Sequence, residues 1–310
     1  MHTSTKILNF APNYCDMKRL VFFFSIALLL CPGRAFANTG DERVAEQDIY
    51  ITGHIDTLML ESEYFDFKRK VFVYLPPLYR YFDATDFDVV YTTDAQTMEQ
   101  FFMAAAMSSF QNQSKWFIVV GICSPQMMWY SRQDDFLPND SATIRSHYGH
   151  GGHAEDLTKF VRYELMPYIR GHYRTTERSL GIGHSLGASF MLQCLMNGNP
   201  FTDYFFLSPN LTFGEDKLLL AKQFCNYKFD ADKLCYLFFS DAGEERQSPR
   251  WEAWKPAREM VYRYLDDHQL PANVVWQRKS YPDYDHLTSY PSALNDAYQG
   301  YFDYLDAVKA

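Results

Sequence analysis

The chain has 310 residues and a mass of 36.3 kDa, enough for one large domain whose core needs neither disulfides nor a structural metal. Hydrophobic residues make up 47% and charged residues 22%, with a mean hydropathy of −0.32, which excludes a disordered chain and a membrane bundle. With 29 Lys and Arg against 38 Asp and Glu, the net charge is −9, so no uniformly positive face is offered to a nucleic acid.

At the start of the chain, Met17-Lys18-Arg19 precede an apolar run from Leu20 to Cys31 broken only by Ser25. Ala35-Phe36-Ala37 then sets small residues where a signal peptidase cuts. Residues 1–37 therefore read as a signal peptide, with 1–16 an upstream extension, and the protein as exported to the periplasm or the exterior. The apolar run is too short to span about 30 Å of hydrocarbon, so no stable membrane span is expected after cleavage. Leu30 is not the small residue that precedes a lipidated cysteine, which makes an anchor through Cys31 the lesser reading. Cleavage leaves residues 38–310 as a single domain; loss of Lys6, Lys18, Arg19, Arg34 and Asp16 takes the net charge from −9 to −12.

The domain then alternates. Residues 57–60 and 69–75 (RKVFVYL) read as an antiparallel hairpin stopped by Pro76-Pro77. Apolar runs at 87–91, 116–122, 179–183, 204–207, 234–239 and 273–276 read as buried strands. Helix-length segments lie near 97–107, 154–171, 186–197, 214–226 and 251–268, with a last one after Pro291. This order predicts an α/β fold of the α/β-hydrolase kind: a mostly parallel central sheet with an antiparallel N-terminal hairpin and helices on both faces. The active site belongs at the carboxyl ends of the strands. From 124 to 152 no regular period shows; the segment reads as a pocket wall carrying Trp129 and Arg132, suited to an aromatic group and to a carboxylate or phenolate. Cys123 and Cys194 read as core thiols, and Cys225 and Cys235, on either side of a polar turn, as a disulfide. His147, His150 and His153 share a spacing but lack acidic or thiolate partners, so no metal is expected there, and no cofactor elsewhere.

Chemistry concentrates at Gly183-His184-Ser185-Leu186-Gly187, a G-x-S-x-G between a strand and an apolar helical run. The spacing sets a serine at the apex of a sharp turn, lets strand and helix approach across the glycines, and aims the Leu186 N–H at a developing oxyanion. A nucleophilic serine needs a base and an orienting acid, following in the order acid then histidine. His286, in the loop after the last strand, is the expected base. The acid lies among Asp241, Glu244 and Glu245; Glu245 is chosen, with Glu244 in reserve.

These residues resemble the esterase family of α/β-hydrolases that includes feruloyl and acetyl esterases, siderophore trilactone esterases and S-formylglutathione hydrolases. The resemblance runs through Val73–Tyr79 (VYLPPLY), Val89–Gln96 (VVYTTDAQ), Arg132, Asp135 and Pro138, Gly151-Gly152, Phe160, Glu164-Leu165, Pro167, Tyr173-Arg174, the Ser185 elbow, Ser208-Pro209 and His286. It implies Ser185 as nucleophile, His286 as base and a second oxyanion N–H from Ala95. Ala95 and Ala188 stand where many members carry glycine, which is expected to narrow the pocket mouth, and the resemblance implies an acid variable enough to admit a Ser-His dyad. The implied reaction is hydrolysis of a carboxylic ester, small or linked to an oligosaccharide, through an acyl-enzyme. An acyltransferase differs only in its acceptor, and a secreted binding protein with a dead site is the non-enzymatic alternative. The oligomeric state is not legible.

Overall fold

The runs FDVVYT (β3, Phe87–Thr92), FIVVGI (β4, Phe117–Ile122), DYFFL (β6, Asp203–Leu207) and CYLFFSD (β7, Cys235–Asp241) are buried at every position. Strands apolar on both faces are stable only where helices cover both sides, and that is the arrangement found. The computed structural model describes residues 53–111, 115–138, 152–212, 216–267 and 269–309. The signal segment, His147, His150, Gly151 and His268 lie outside the described residues.

Eight strands form one sheet in the order β1-β2-β4-β3-β5-β6-β7-β8. The hairpin of β1 (His54–Leu60) and β2 (Arg69–Leu75) is antiparallel, with Thr57 opposite Phe72, and β2 joins β4 antiparallel. All later pairings, through β5 (Thr175–His184) to β8 (Val274–Ser280), are parallel. On one face the core is built with α1 (Glu99–Gln111) and α8 (Ser289–Lys309), through Phe101, Ala104, Tyr298 and Tyr301. The opposite face is covered by α3 (Ala154–Lys159), α4 (Met166–His172), α5 (Leu186–Met196), α6 (Leu219–Asn226) and α7 (Trp254–Asp266), through residues such as Leu157, Phe190, Phe224 and Val261. No described helix is long and apolar enough to cross a membrane.

Departures from the sequence reading have local causes. The single helix expected over 154–171 is interrupted by a π-helical stretch, Phe160–Leu165, which ends two residues before Pro167, whose missing N–H removes one bond of the ladder. The last helix starts at Ser289, before Pro291, because proline costs no hydrogen bond in a first turn. The aperiodic wall contains a short helix, α2 (Arg132–Phe136), started by a Ser131/Asp134 capping box. The expected Cys225–Cys235 disulfide is absent: both thiols are free, Cys235 being buried at the start of β7 while the Cys225 thiol donates to the Met260 carbonyl in α7.

Asp135, which with Arg132 and Pro138 carries part of the family resemblance, has a structural task. Its carboxylate receives both terminal nitrogens of Arg69, at 2.8 and 2.7 Å, and the Tyr130 hydroxyl; Arg69 and Asp135 are fully buried. Arg69 also donates to the Cys123 carbonyl at 3.2 Å, and the Phe65 ring lies 4.6 Å from its guanidinium. The pair ties β2 to α2, and removing one partner leaves a buried charge uncompensated. Asp135→Asn is expected to cost about 3–5 kcal/mol, read as a fall in Tm of roughly 10 °C. A shift below about 2 °C would show that solvent reaches Arg69.

Candidate active site

β5 ends at His184 and α5 begins at Leu186, so Ser185 alone makes the turn, at φ 59° and ψ −123°. A side chain in that conformation costs on the order of 1–3 kcal/mol and persists only where its surroundings over-determine it. Here the Ser185 N–H donates to the Leu207 carbonyl at 3.0 Å, and the Ser185 carbonyl accepts from Ser189 N–H at 3.1 Å and Asn210 N–H at 3.3 Å. The flanking glycines are sterically required. A Cβ on Gly183 would lie 2.3 Å from the Gly187 carbonyl oxygen, and one on Gly187 would lie 2.3 Å from Thr93 Oγ1 and 3.0 Å from Asp94 Oδ2.

That second contact brings the β3 loop against the elbow. Leu186 is the first residue of α5 and Ala95 the first of the 3-10 turn Ala95–Thr97, so neither N–H has an acceptor one turn back. The Ala95 methyl does not narrow the pocket mouth as expected. Ala95 is fully buried, and its Cβ occupies the space that a Cβ on Gly121 of β4 would contest, at 2.7 Å. Ala188 is buried too.

Arg132 is not a free cation awaiting a substrate anion. Its Nε and a terminal nitrogen hold the two oxygens of Asp94 at 2.7 and 2.9 Å, and Gln96 donates to the same carboxylate at 3.1 Å. Asp94, at φ 59°, leads directly into Ala95, so Arg132 fixes the loop that carries the Ala95 N–H. Trp129 is exposed and packs edge-on against Phe67 at 5.9 Å.

His286 is buried in the loop after β8. Its N–H donates to the Gln247 side chain at 2.8 Å, and Asp285 receives the N–H groups of Leu287 and Thr288 at 2.9 and 2.7 Å. His184 meets it from the elbow: His184 Nε2 lies 2.9 Å from the His286 carbonyl oxygen, which fixes Nε2 as the donor, and the two rings are 4.7 Å apart. Trp251 and Trp254 pack against the His286 ring at 5.2 and 5.3 Å.

The carboxylate facing His286 belongs to Glu244, not Glu245. Glu244 Oε1 is 3.4 Å from His286 Nδ1 and accepts the Ala242 N–H at 3.1 Å. Burial alone would raise its carboxyl pKa, but hydrogen bonds from His286, its own N–H, the Ser208 hydroxyl and Ala242 outweigh burial and hold it at about 2. Glu245 points away, gripped by both terminal nitrogens of Arg258 at 2.9 and 3.0 Å. In the 3-10 turn Glu244–Arg246 consecutive side chains diverge, so one residue of difference decides which carboxylate reaches the imidazole. Asp241 is also engaged, accepting from Tyr262 at 2.9 Å and Ser280 at 2.7 Å. Sequence spacing alone does not reveal the parts played by His184, Gln247, Trp251 and Trp254, because each acts through a contact across the fold. Among the described residues no group of three His, Cys, Asp or Glu side chains could hold a metal ion.

A family model described as "Putative esterase" matches residues 62–294. The chain belongs to this esterase family. It is a carboxylic-ester hydrolase of α/β-hydrolase fold. Similar solved structures include an IroE-like serine hydrolase from Shewanella oneidensis, with 22% identity, coverage of 81% of this chain and 80% of that one, and a TM-score of 0.68. The siderophore hydrolase EstA from Aspergillus nidulans has 19% identity over 89% of this chain and 100% of its own, with a TM-score of 0.65. The BES protein from Bacillus cereus has 21% identity over 84% and 98%, with a TM-score of 0.61. No curated protein sequence matches the chain.

In this esterase His184 is held neutral: burial, and then the neighbouring His286, lower its pKa from 6.5 to about 4. Between these values the unfolded chain binds the proton and the folded chain does not. The His184 contribution is therefore complete above pH 6.5 and is lost as pH falls towards 4, about 3 kcal/mol in all. Glu244 acts in a lower window, between 4.5 and 2. Urea unfolding at pH 7 and pH 4.5 is expected to show His184→Gln losing less stability on acidification than the parent protein. Equal losses would place the acid sensitivity elsewhere.

Proposed function

We propose that this protein is an exported serine esterase that cleaves carboxylic esters through an acyl-enzyme on Ser185, with His286 as base and Glu244 as the acid that orients it. The observation that carries this reading is the chain of contacts at one end of the sheet. Ser185 is held alone on its strained turn, His184 beside it bonds to the His286 carbonyl, and His286 Nδ1 faces the Glu244 carboxylate at 3.4 Å.

In this reading His286 takes the Ser185 hydroxyl proton through Nε2 as the oxygen attacks the ester carbonyl. Glu244 at Nδ1 holds the ring in the required tautomer and stabilises the imidazolium. The tetrahedral oxygen is met by the N–H groups of Leu186 and Ala95, already fixed by the elbow and by the Arg132–Asp94 pair. His286 returns the proton to the leaving alcohol, and water repeats the sequence to free the acid. Glu244 is held well below its usual range, so it is an anion at neutral pH.

The surroundings favour a neutral or aromatic ester over one selected by an anionic group. Trp251 and Trp254 wall the base, Met128, Trp129 and Leu287 are exposed, and Arg132 is neutralised by Asp94. Feruloyl or acetyl sugar esters and aromatic siderophore lactones both carry such groups. Export rests on the segment 1–37, which lies outside the described residues.

Hydrolysis of p-nitrophenyl acetate and butyrate tests the reading. Ser185→Ala and His286→Ala are expected to lose roughly 10³-fold or more in kcat, and Glu244→Gln on the order of 10²-fold. Glu245→Gln is expected to lose far less than Glu244→Gln. Turnover that survives in folded Ser185→Ala rejects the nucleophile; a fully active Glu244→Gln rejects the acid and leaves a Ser-His dyad.

A further inference from the structure

Behind Glu244, on the side away from His286, one cation faces three carboxylates. Arg258, in the first half of α7, spans them with a single guanidinium. Its two terminal nitrogens bind Glu245 at 2.9 and 3.0 Å, one of them stands 3.5 Å from Glu244 Oε2, and Nε stands 3.6 Å from Asp241 Oδ1. The group is largely shielded from water, with Glu244 buried to 1% of its side-chain exposure, Asp241 to 7% and Arg258 to 14%. The two oxygens of Glu244 are thus divided: Oε1 faces the base and Oε2 faces the arginine.

We propose that Arg258 is a positioning residue for the reaction, acting on His286 through Glu244. Its charge offsets the three acids crowded behind the imidazole, and by gripping Glu245 in a fork it turns that side chain away and leaves Glu244 alone facing the imidazole. This rests on the assignment of Glu244 as the orienting acid.

The physical case is one of charge balance. Three carboxylates with a common neighbour at salt-bridge distance carry uncompensated charge in a shielded site once that neighbour is neutral, and the usual relief is uptake of a proton within the site, on a carboxylate or on the imidazole that Glu244 faces. Among the described residues, the other groups facing the cluster supply no second cation to take over. From β7 and its loop come Asp241, Glu244, Glu245 and Arg246, whose guanidinium is committed to the Gly243, Ala242 and Pro282 carbonyls. From α7 comes Tyr262, donating to Asp241; from β8 comes the Ser280 hydroxyl, also on Asp241. From the loop before α8 comes His286 itself, with His184 of β5 behind it, and from the end of β6 comes Ser208. A lysine would keep the charge but not the fork, because an ammonium binds as a point and cannot hold both Glu245 oxygens while reaching Glu244.

The test is the pH profile of kcat/KM on p-nitrophenyl acetate for the full chain and its Arg258→Gln, Arg258→Lys, Glu244→Gln and Arg258→Gln/Glu244→Gln variants, each checked for folding by circular dichroism. Arg258→Gln is expected to lose roughly ten- to a hundredfold in kcat at pH 7 with KM within about twofold, and its acid limb is expected to move up by about one pH unit. Arg258→Lys is expected to keep the limb in place while losing severalfold in kcat. Arg258→Gln/Glu244→Gln is expected to match Glu244→Gln, because a residue that works through Glu244 has nothing left to position.

A folded Arg258→Gln with the parent kcat and limb overturns the proposal, as does a double variant whose losses simply multiply. Should Arg258→Gln not fold, Arg258→Lys decides: parent kcat, or a limb displaced upward, overturns the proposal, and reduced kcat with an unmoved limb supports it. A fully active Glu244→Gln overturns both this proposal and the assignment of the acid. An impaired Glu244→Gln beside an unaffected Arg258→Gln overturns the proposal alone.

Discussion

The close approach of β5, α5 and the β3 loop around Ser185 is the constraint on which the rest of the site depends. With no side chain at Gly183 or Gly187, the strand end packs against the first turn of the helix, and that turn packs against Thr93 and Asp94. The same contact forces Ser185 to positive φ and brings the Ala95 turn to the N-terminus of α5. The strain on Ser185 is supported by hydrogen bonds with β6 and with the loop that follows it, so the Ser185 conformation is a property of the sheet's centre and not of a surface loop.

Around this centre the protein uses buried charge to fix loops. Arg132 holds Asp94 and with it the Ala95 turn; Arg69 holds Asp135 and with it α2; Arg258 holds the acids after β7. Each arginine is joined to carboxylate by two parallel bonds, a geometry that sets orientation as well as charge. An isolated buried ion pair is weak evidence for stability, but these pairs join segments distant in sequence, where defined geometry is what a catalytic loop needs.

The parts of this design legible in the sequence are those written in local pattern. Continuous apolar runs identify the parallel strands, Pro76-Pro77 closes the hairpin, and G-x-S-x-G marks the elbow, because each is fixed by nearest-neighbour sterics. Contacts between distant segments were not legible. Glu244 and Glu245 are adjacent and alike in chemistry, and what separates them is an arginine thirteen residues beyond Glu245 that grips only one of them in a fork. Arg132 reads as available to a substrate anion because its partner lies 38 positions earlier. Cys225 and Cys235 read as a bridge because their spacing does not reveal that Cys235 is buried at the start of β7 while the Cys225 thiol donates to the Met260 carbonyl of α7.

The central claim is that this geometry makes Ser185, and no other serine, reactive. The most direct measurement is the intact mass of the full chain after treatment with a fluorophosphonate, followed by peptide mapping. The account predicts one adduct per chain, on Ser185, and none when His286 is replaced by alanine in a protein that still folds. An adduct on another serine, or none on the folded parent protein, would contradict it.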